Sequence, residues 1–193
     1  MSLKDKEKWD SKHEADECVK EPCDWLKDNV GFLAGKGKAL DIAMGAGRNA
    51  VFVAGLGYEV LGVDISEVGI RKAQALAREK KVRIAALSVD LDNYIIPEKT
   101  YDLILCFNFL DRRIFPEICR ALRPKGLVFY ETFTVDHLKH SSFKREWVLE
   151  RNELLRAFHE LYVLKYQEID QNGKAAASIV AQKLDDKKID DPI

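Results

Sequence analysis

No apolar run in these 193 residues is long enough to span a membrane. There is no excess of charge of either sign. The formal net charge is −1, so the electrostatic footprint of a general nucleic-acid binder is missing. Cysteine is scarce, and Cys18, Cys23, Cys106 and Cys119 lack the paired spacing that holds a metal. Cys106 and Cys119 fall in apolar strand and helix patterns and are expected to be buried thiols. Residues Met1 to Asp10 are charged and carry no apolar signal core, so the cytoplasm is the expected location. Internal repeats and low-complexity segments are also lacking. What remains is an ordinary globular composition, 47% hydrophobic and 33% charged, of a length that suits one domain, 1–193, with a sizeable core.

The stretch Leu40-Asp41-Ile42-Ala43-Met44-Gly45-Ala46-Gly47-Arg48-Asn49 organises the chain. An apolar run leads into an aspartate, a loop of small residues follows, and Asn49 to Ala54 has helix character. Strand, tight glycine turn and helix form a nucleotide-binding arrangement. Glycines let the backbone turn and approach a ligand, and the free N–H groups at the helix start can face it. Gly-x-Gly also occurs as plain turn chemistry. The context strengthens the binding reading: Tyr58 to Asp64 reads as a second strand ending in an acid, 17 residues after Gly47, near the offset at which an acid meets ribose hydroxyls. Gly45 to Ala50 fits the dinucleotide pattern, but a carboxylate at Asp41 would face a pyrophosphate, and like charges at roughly 4–6 Å disfavour each other. A cationic ligand reverses that sign. S-adenosylmethionine carries an ammonium, a sulfonium and no phosphate.

On these residues the chain resembles the class I S-adenosylmethionine-dependent methyltransferases, closest to the small tellurite-resistance-type and type 11/12 enzymes, over about Trp25 to Lys183. The family's first motif is an acid followed by Gly-x-Gly-x-Gly. Here it is Asp41-Ile42-Ala43-Met44-Gly45-Ala46-Gly47, with alanine at the first glycine position. The resemblance implies an α/β, doubly wound, seven-stranded and mostly parallel sheet in the order 3-2-1-4-5-7-6, with an antiparallel last strand. It implies S-adenosylmethionine as cofactor, held by Asp41, Ala43, Met44, Gly45 and Gly47, by Asp64 and Ile65, by Asp90 and Leu91 near the adenine, and by Cys106. It implies methyl transfer to a small-molecule acceptor, since little chain is left over for a macromolecule-binding domain.

The rest of the chain is read around that motif. Residues 1–24 are either a solvated terminus or a lid, in which case Trp9 and His13 would face the substrate. Pro22 to Leu26 starts a helix with Trp25, Leu26, Val30 and Leu33 as its apolar face. Ser66 is an N-cap for a helix over about 68–80, with Ile70, Ala73, Leu76 and Ala77 as its apolar stripe. Ile84 to Val89 is a third strand, ending at Asp90. Tyr101 to Phe107 is a strand buried on both faces. It ends at Asn108, which can orient a substrate, and Arg112 or Arg113, which can hold an anionic one or lie solvated on the surface. A helix over about 115–122, a turn at Arg123 to Gly126 and a strand over 127–130 follow. Residues 134–151 have poor periodicity and read as a substrate-facing flap. A helix at 153–158 precedes two strands, 162–169 and 177–183, joined at Asn172-Gly173, a strong hairpin signal. Residues 184–193 form a charged tail, expected to be mobile.

No general base can be named, since Glu131, His137 and His13 lack supporting spacing. Metal, membrane and nucleic acid are not expected, and the oligomeric state is open. An NAD(P)-dependent oxidoreductase is opposed by Asp41 and by the terminal hairpin. A non-catalytic S-adenosylmethionine-binding module is compatible with Ala43 and the absent base.

Overall fold

The structure is a computed structural model that describes residues 3–15 and 19–185. Beyond Asp185, the tail expected to be mobile lies outside the described residues. The strands form a seven-stranded sheet in the order β3-β2-β1-β4-β5-β7-β6, the order the resemblance implies, where β1 is Gly37–Ile42, β2 Tyr58–Asp64, β3 Ala85–Ser88, β4 Tyr101–Phe107, β5 Leu122–Phe133, β6 Tyr162–Gln171 and β7 Lys174–Gln182. The chain divides into two compact units, Met1–Ile95 and Ile96–Ile193.

In the first unit β1, β2 and β3 pair in parallel, with Ile42 opposite Val63 and Asp64 opposite Ser88. The helices α3 (Arg48–Gly55) and α4 (Glu67–Glu79) make the crossovers that parallel strands require. The stripe read from the sequence of α4 is buried: Ile70, Ala73, Leu76 and Ala77, joined by Val68. Ser66 caps it, its Oγ accepting the N–H of Gly69 at 3.0 Å. Close approach requires glycine at several positions, Gly62 and Gly47 among them. At Gly62 a Cβ would lie 1.9 Å from Met44 Sδ, and at Gly47 it would lie 2.5 Å from Ala73 Cβ. Met44 is thus packed onto β2 and α3 onto α4.

Two further helices open this unit. α1 spans Leu3–Ala15 and α2 only Asp24–Asp28. The sequence predicts that α2 continues to Leu33. It stops because the Asn29 side chain donates to the Trp25 carbonyl at 2.7 Å, in place of the next helical N–H. Trp25 and Leu26 are buried as expected, whereas Val30 is exposed.

In the second unit β4 and β5 are parallel, while β7 runs antiparallel to both β5 and β6. Asn172 and Gly173 turn the β6–β7 hairpin, both with positive φ (54° and 75°) as a primed turn needs. The strand predicted at 127–130 is longer than its apolar run, because Arg123 to Gly126 stay in it. Lys125 adopts φ 67°, and it is tied to Lys183 by two backbone hydrogen bonds through itself and Gly126 (2.8 and 2.9 Å). The helices are α5 (Ile114–Ala121) and α6 (Glu153–Ala157). Phe115, Tyr130 and Phe158 form a buried aromatic triad with centroids 5.4–5.8 Å apart, and Tyr130 Oη donates to the Phe109 carbonyl at 2.7 Å.

The Gly62 contact gives a test of the first unit's packing. Gly62→Ala must displace Met44 and should destabilise the protein by about 1–3 kcal/mol in a urea melt. Adding Met44→Ala should cost less than the sum of the two single changes. Strict additivity would show that the two residues do not meet.

Candidate functional site

The loop from Ala43 to Gly47 joins β1 to α3 and alternates left-handed residues: Ala43 at φ 53°, Gly45 at 54° and Gly47 at 75°. Left-handed backbone costs an L-residue roughly 1–2 kcal/mol and glycine almost nothing. Ala43 therefore carries strain at the one position where this chain departs from the motif. The loop lies over the end of β2. Met44 N–H donates to the Val63 carbonyl (3.1 Å), and Gly45 N–H donates to Asp64 Oδ2 (2.7 Å). Gly47 caps α3, its carbonyl accepting the N–H of Val51 at 2.8 Å.

Two carboxyls sit under and beside this loop. Asp41, second to last in β1, is 2% exposed. The backbone N–H of Ala50 reaches it, but its Oδ2 has no hydrogen-bond partner among the described residues. Burial pushes its pKa up to about 8, opposed by the Ala50 N–H and reinforced by the charge of Asp64. Asp64, the last residue of β2, accepts the N–H groups of Gly45 and Ser66 (2.7 and 2.8 Å). Burial raises its pKa as well, against the pull of those two N–H groups and of His13. A buried carboxylate oxygen without a donor is costly. A ligand that carries positive charge and hydroxyls suits this pair of acids, and one that brings a pyrophosphate to it does not.

Asp90 follows β3 and is partly exposed. Its carboxylate accepts Asp92 N–H (3.0 Å) and Asn93 Nδ2 (3.2 Å), so it also shapes a turn. Leu91, Ile65 and Met44 are buried apolar residues beside these acids in the chain. The three acids thus lie at or just beyond the carboxyl ends of three parallel strands, where ligands of such sheets sit.

The sequence gives little sign of what α1 does. The helix is charged all round, but Lys6, Asp10 and His13 share one face (spacing i, i+4, i+7), and that face meets α4. Asp10 Oδ1 accepts the Ser66 hydroxyl (2.6 Å) and Val68 N–H (3.1 Å) at the start of α4. Lys6 pairs with Glu67, and Lys72 donates to the His13 carbonyl. The half-buried His13 ring comes within 3.3 Å of where a Cβ would stand on Gly45, and 3.2 Å on Gly69. Burial lowers its pKa, with Asp64 opposing. Trp9 lies one turn back on the same helix, 6.2 Å from His13, with Lys12 Nζ 4.7 Å from its ring.

The remaining sequence candidates lie in the second unit. Cys106 is fully buried in β4. Asn108 is exposed at φ 57°, its N–H donating to the Glu131 carbonyl at the end of β5 (2.8 Å). The Arg112 guanidinium forks onto Glu153 (2.6 and 3.0 Å) and donates to the carbonyls of Glu146 and Val148. It therefore staples the segment after β5 in place, and Arg113 pairs with Asp111 at 2.6 Å. Glu131 is held by Lys174 (2.6 Å) and Ser178 (2.7 Å). Among the described residues no helix is long and apolar enough to cross a membrane, and no cluster of His, Cys, Asp and Glu could hold a metal ion.

Residues 39–126 match a family described as "Methyltransferase domain". The chain is 28% identical over 114 residues to the ubiquinone biosynthesis O-methyltransferase of Bordetella bronchiseptica, covering 56% of this chain and 47% of that protein. It is 29% identical over 129 residues to the putative methyltransferase YqeM of Bacillus subtilis, covering 62% and 49%. The matched stretch spans about half the length of these curated relatives. Among solved structures, TehB of Haemophilus influenzae superimposes with a TM-score of 0.71 at 22% identity, over 92% of this chain and 67% of that one. At these identities the structural likeness concerns the fold.

Two substitutions test the loop. The folded pKa of Asp41, about 8, lies above its ordinary 3.8. The stabilisation it gives is therefore complete below about pH 4 and is lost as pH rises through 8. The thermal midpoint of the protein should fall between pH 5 and 9, and Asp41→Asn should flatten that slope; equal slopes would mean that Asp41 is not the titrating group. Ala43→Gly relieves the left-handed strain and should stabilise by up to about 1 kcal/mol after the entropic penalty of glycine. A lower midpoint would show that Ala43 is unstrained.

Proposed function

We propose, from the premise that the chain belongs to the class I S-adenosylmethionine-dependent methyltransferases, that it transfers a methyl group from S-adenosylmethionine to a small-molecule acceptor. The observation that carries this reading is the unpartnered Oδ2 of buried Asp41, set beside Asp64 at a loop that brings N–H groups and acids together. That donor set fits a ligand with a cationic amino-acid end and a ribose. When bound, S-adenosylmethionine supplies a methyl already made electrophilic by its sulfonium.

The work of the chain's own residues is to bind and orient. Asp41 would take a donor at Oδ2, which favours its ionised form in the complex. Asp64, fixed by two backbone N–H groups, keeps lone pairs for ribose hydroxyls. Asp90 would accept from an adenine amino group, with Ile65, Met44 and Leu91 as apolar neighbours. Positioning of acceptor and methyl can supply roughly 7–11 kcal/mol of the barrier, so little covalent work falls to the protein. Glu131 is a poor general base, because Lys174 and Ser178 occupy its two oxygens. The names of the ubiquinone biosynthesis O-methyltransferases support a small acceptor.

Calorimetric titration with S-adenosylhomocysteine, S-adenosylmethionine and NAD⁺ tests the reading. The adenosyl compounds should bind and NAD⁺ should not. Affinity for S-adenosylmethionine should rise with pH towards 8, as Asp41 loses its proton. Asp64→Ala should weaken binding by about 1.5–3 kcal/mol, the worth of hydrogen bonds to a charged acceptor. NAD⁺ binding tighter than S-adenosylhomocysteine would overturn the proposal.

A further inference from the structure

The end of β5 and the segment after it gather four aromatic rings, Phe133, His137, Phe143 and Trp147. Phe133, the last residue of β5, stacks on His137 with centroids 4.3 Å apart and planes 17° from parallel. Phe143 stands edge-on to both, 5.2 Å from Phe133 and 5.4 Å from His137, and Trp147 is edge-on to Phe143 at 6.4 Å. Stacked and edge-to-face pairs of this kind hold each ring in one orientation. Exposure rises along the row, from 8% at His137 to 40% at Phe143 and 45% at Trp147. A lone exposed aromatic is ordinary, but here two partly exposed rings adjoin a packed pair and form a shelf.

His137 gives the shelf a polar end. Its Nδ1 accepts the N–H of Ala175 (3.4 Å), which leaves the proton of the neutral ring on Nε2. That Nε2 has no hydrogen-bond partner among the described residues. The ring is held neutral by burial, and by His140 and Lys174, against the weaker pull of Asp170. The charges around it are largely paired: Lys174 with Glu131, and His140 and Lys139 with Asp170. Lys144, 3.7 Å from Glu146, lies 5.2 Å from the Trp147 ring. An unpartnered N–H donor that reaches the surface, a row of rings and a flanking cation fit a flat ring that carries an oxygen acceptor.

We propose that Phe133, His137, Phe143 and Trp147 bind a planar aromatic ligand with an ionisable hydroxyl, its ring against Phe143 and Trp147 and its oxygen on the Nε2–H of His137. That this ligand is the methyl acceptor rests on the function proposed above; its binding does not. A donor at the oxygen, with a cation nearby, favours the phenolate over the phenol.

The full chain is titrated with 4-nitrophenol, whose phenolate is distinguished from the phenol by its absorbance, and with cyclohexanol as a non-planar control. Both titrations are run with and without S-adenosylhomocysteine. The phenol should bind, cyclohexanol should not, and the apparent pKa of the phenol should fall on binding. Trp147→Ala, at an exposed site, should weaken binding roughly 3- to 10-fold. His137→Phe, which keeps the stack, should bind but lose the pKa shift. Equal binding of both alcohols, no binding at all, or an unchanged affinity in Trp147→Ala would overturn the proposal. So would a Trp147-dependent dimer in sedimentation without phenol binding, which would assign the shelf to a second copy. A chain that binds 4-nitrophenol but not S-adenosylhomocysteine would sink the proposed function and leave the shelf standing; the reverse result would sink the shelf alone.

Discussion

The carboxyl of Asp41 is held out of water with one oxygen unpartnered, and much of the first unit is arranged by the need to hold it there. The loop above it turns back on itself through three left-handed residues, which bring the N–H of Gly45 onto Asp64 and the carbonyl of Gly45 against Gly69. Side-chain size at Gly62, Met44, Gly47 and Ala73 is fixed by the same closeness. Strain and desolvation are concentrated where a ligand would offset them. Under the proposed function, this is the logic of a site built for binding rather than for stability.

The second unit handles its polar groups differently. Glu131 is almost fully buried but has Lys174 and Ser178 on its two oxygens, and Arg112 is matched by Glu153 and two carbonyls. These groups fix backbone. Asn108 is tied by its N–H to the end of β5, and the segment from Glu146 to Glu153 is tied to Arg112. The left-handed Asn108 and Lys125 are each anchored by a backbone hydrogen bond to a neighbouring strand or its end.

What was legible in the sequence was whatever depends on short-range pattern. The buried run at 101–107, the stripe on α4, its Ser66 cap and the Asn172-Gly173 turn all stand where periodicity and turn chemistry put them. The strand order came from resemblance, because no local pattern says that β7 lies between β5 and β6. α1 was not legible: its residues are nearly all polar, and it is held by ion pairs and a capping aspartate rather than by an apolar face. The role of Arg112 was equally hidden, since its partner Glu153 lies 41 residues away. The stack of Phe133 on His137 needed the fold of a segment with no periodicity to be seen.

The hairpin order has a consequence for synthesis. β7 follows β6 in the chain yet pairs with β5, along Leu127 to Phe133. A nascent chain halted before Lys174 has made β5 and β6 but not the strand that joins them. Until β7 emerges, the backbone edge that β5 will offer it, next to Val128, Phe129 and Tyr130, lacks its partner and is open to pairing with another copy. The alanines of β7, Ala175 to Ala177, offer little side chain to hold a register. Pairing there is fixed instead by the Asn-Gly turn and by Ser178 reaching Glu131. The ribosome thus releases this half of the molecule in an order that leaves its central seam to be closed last.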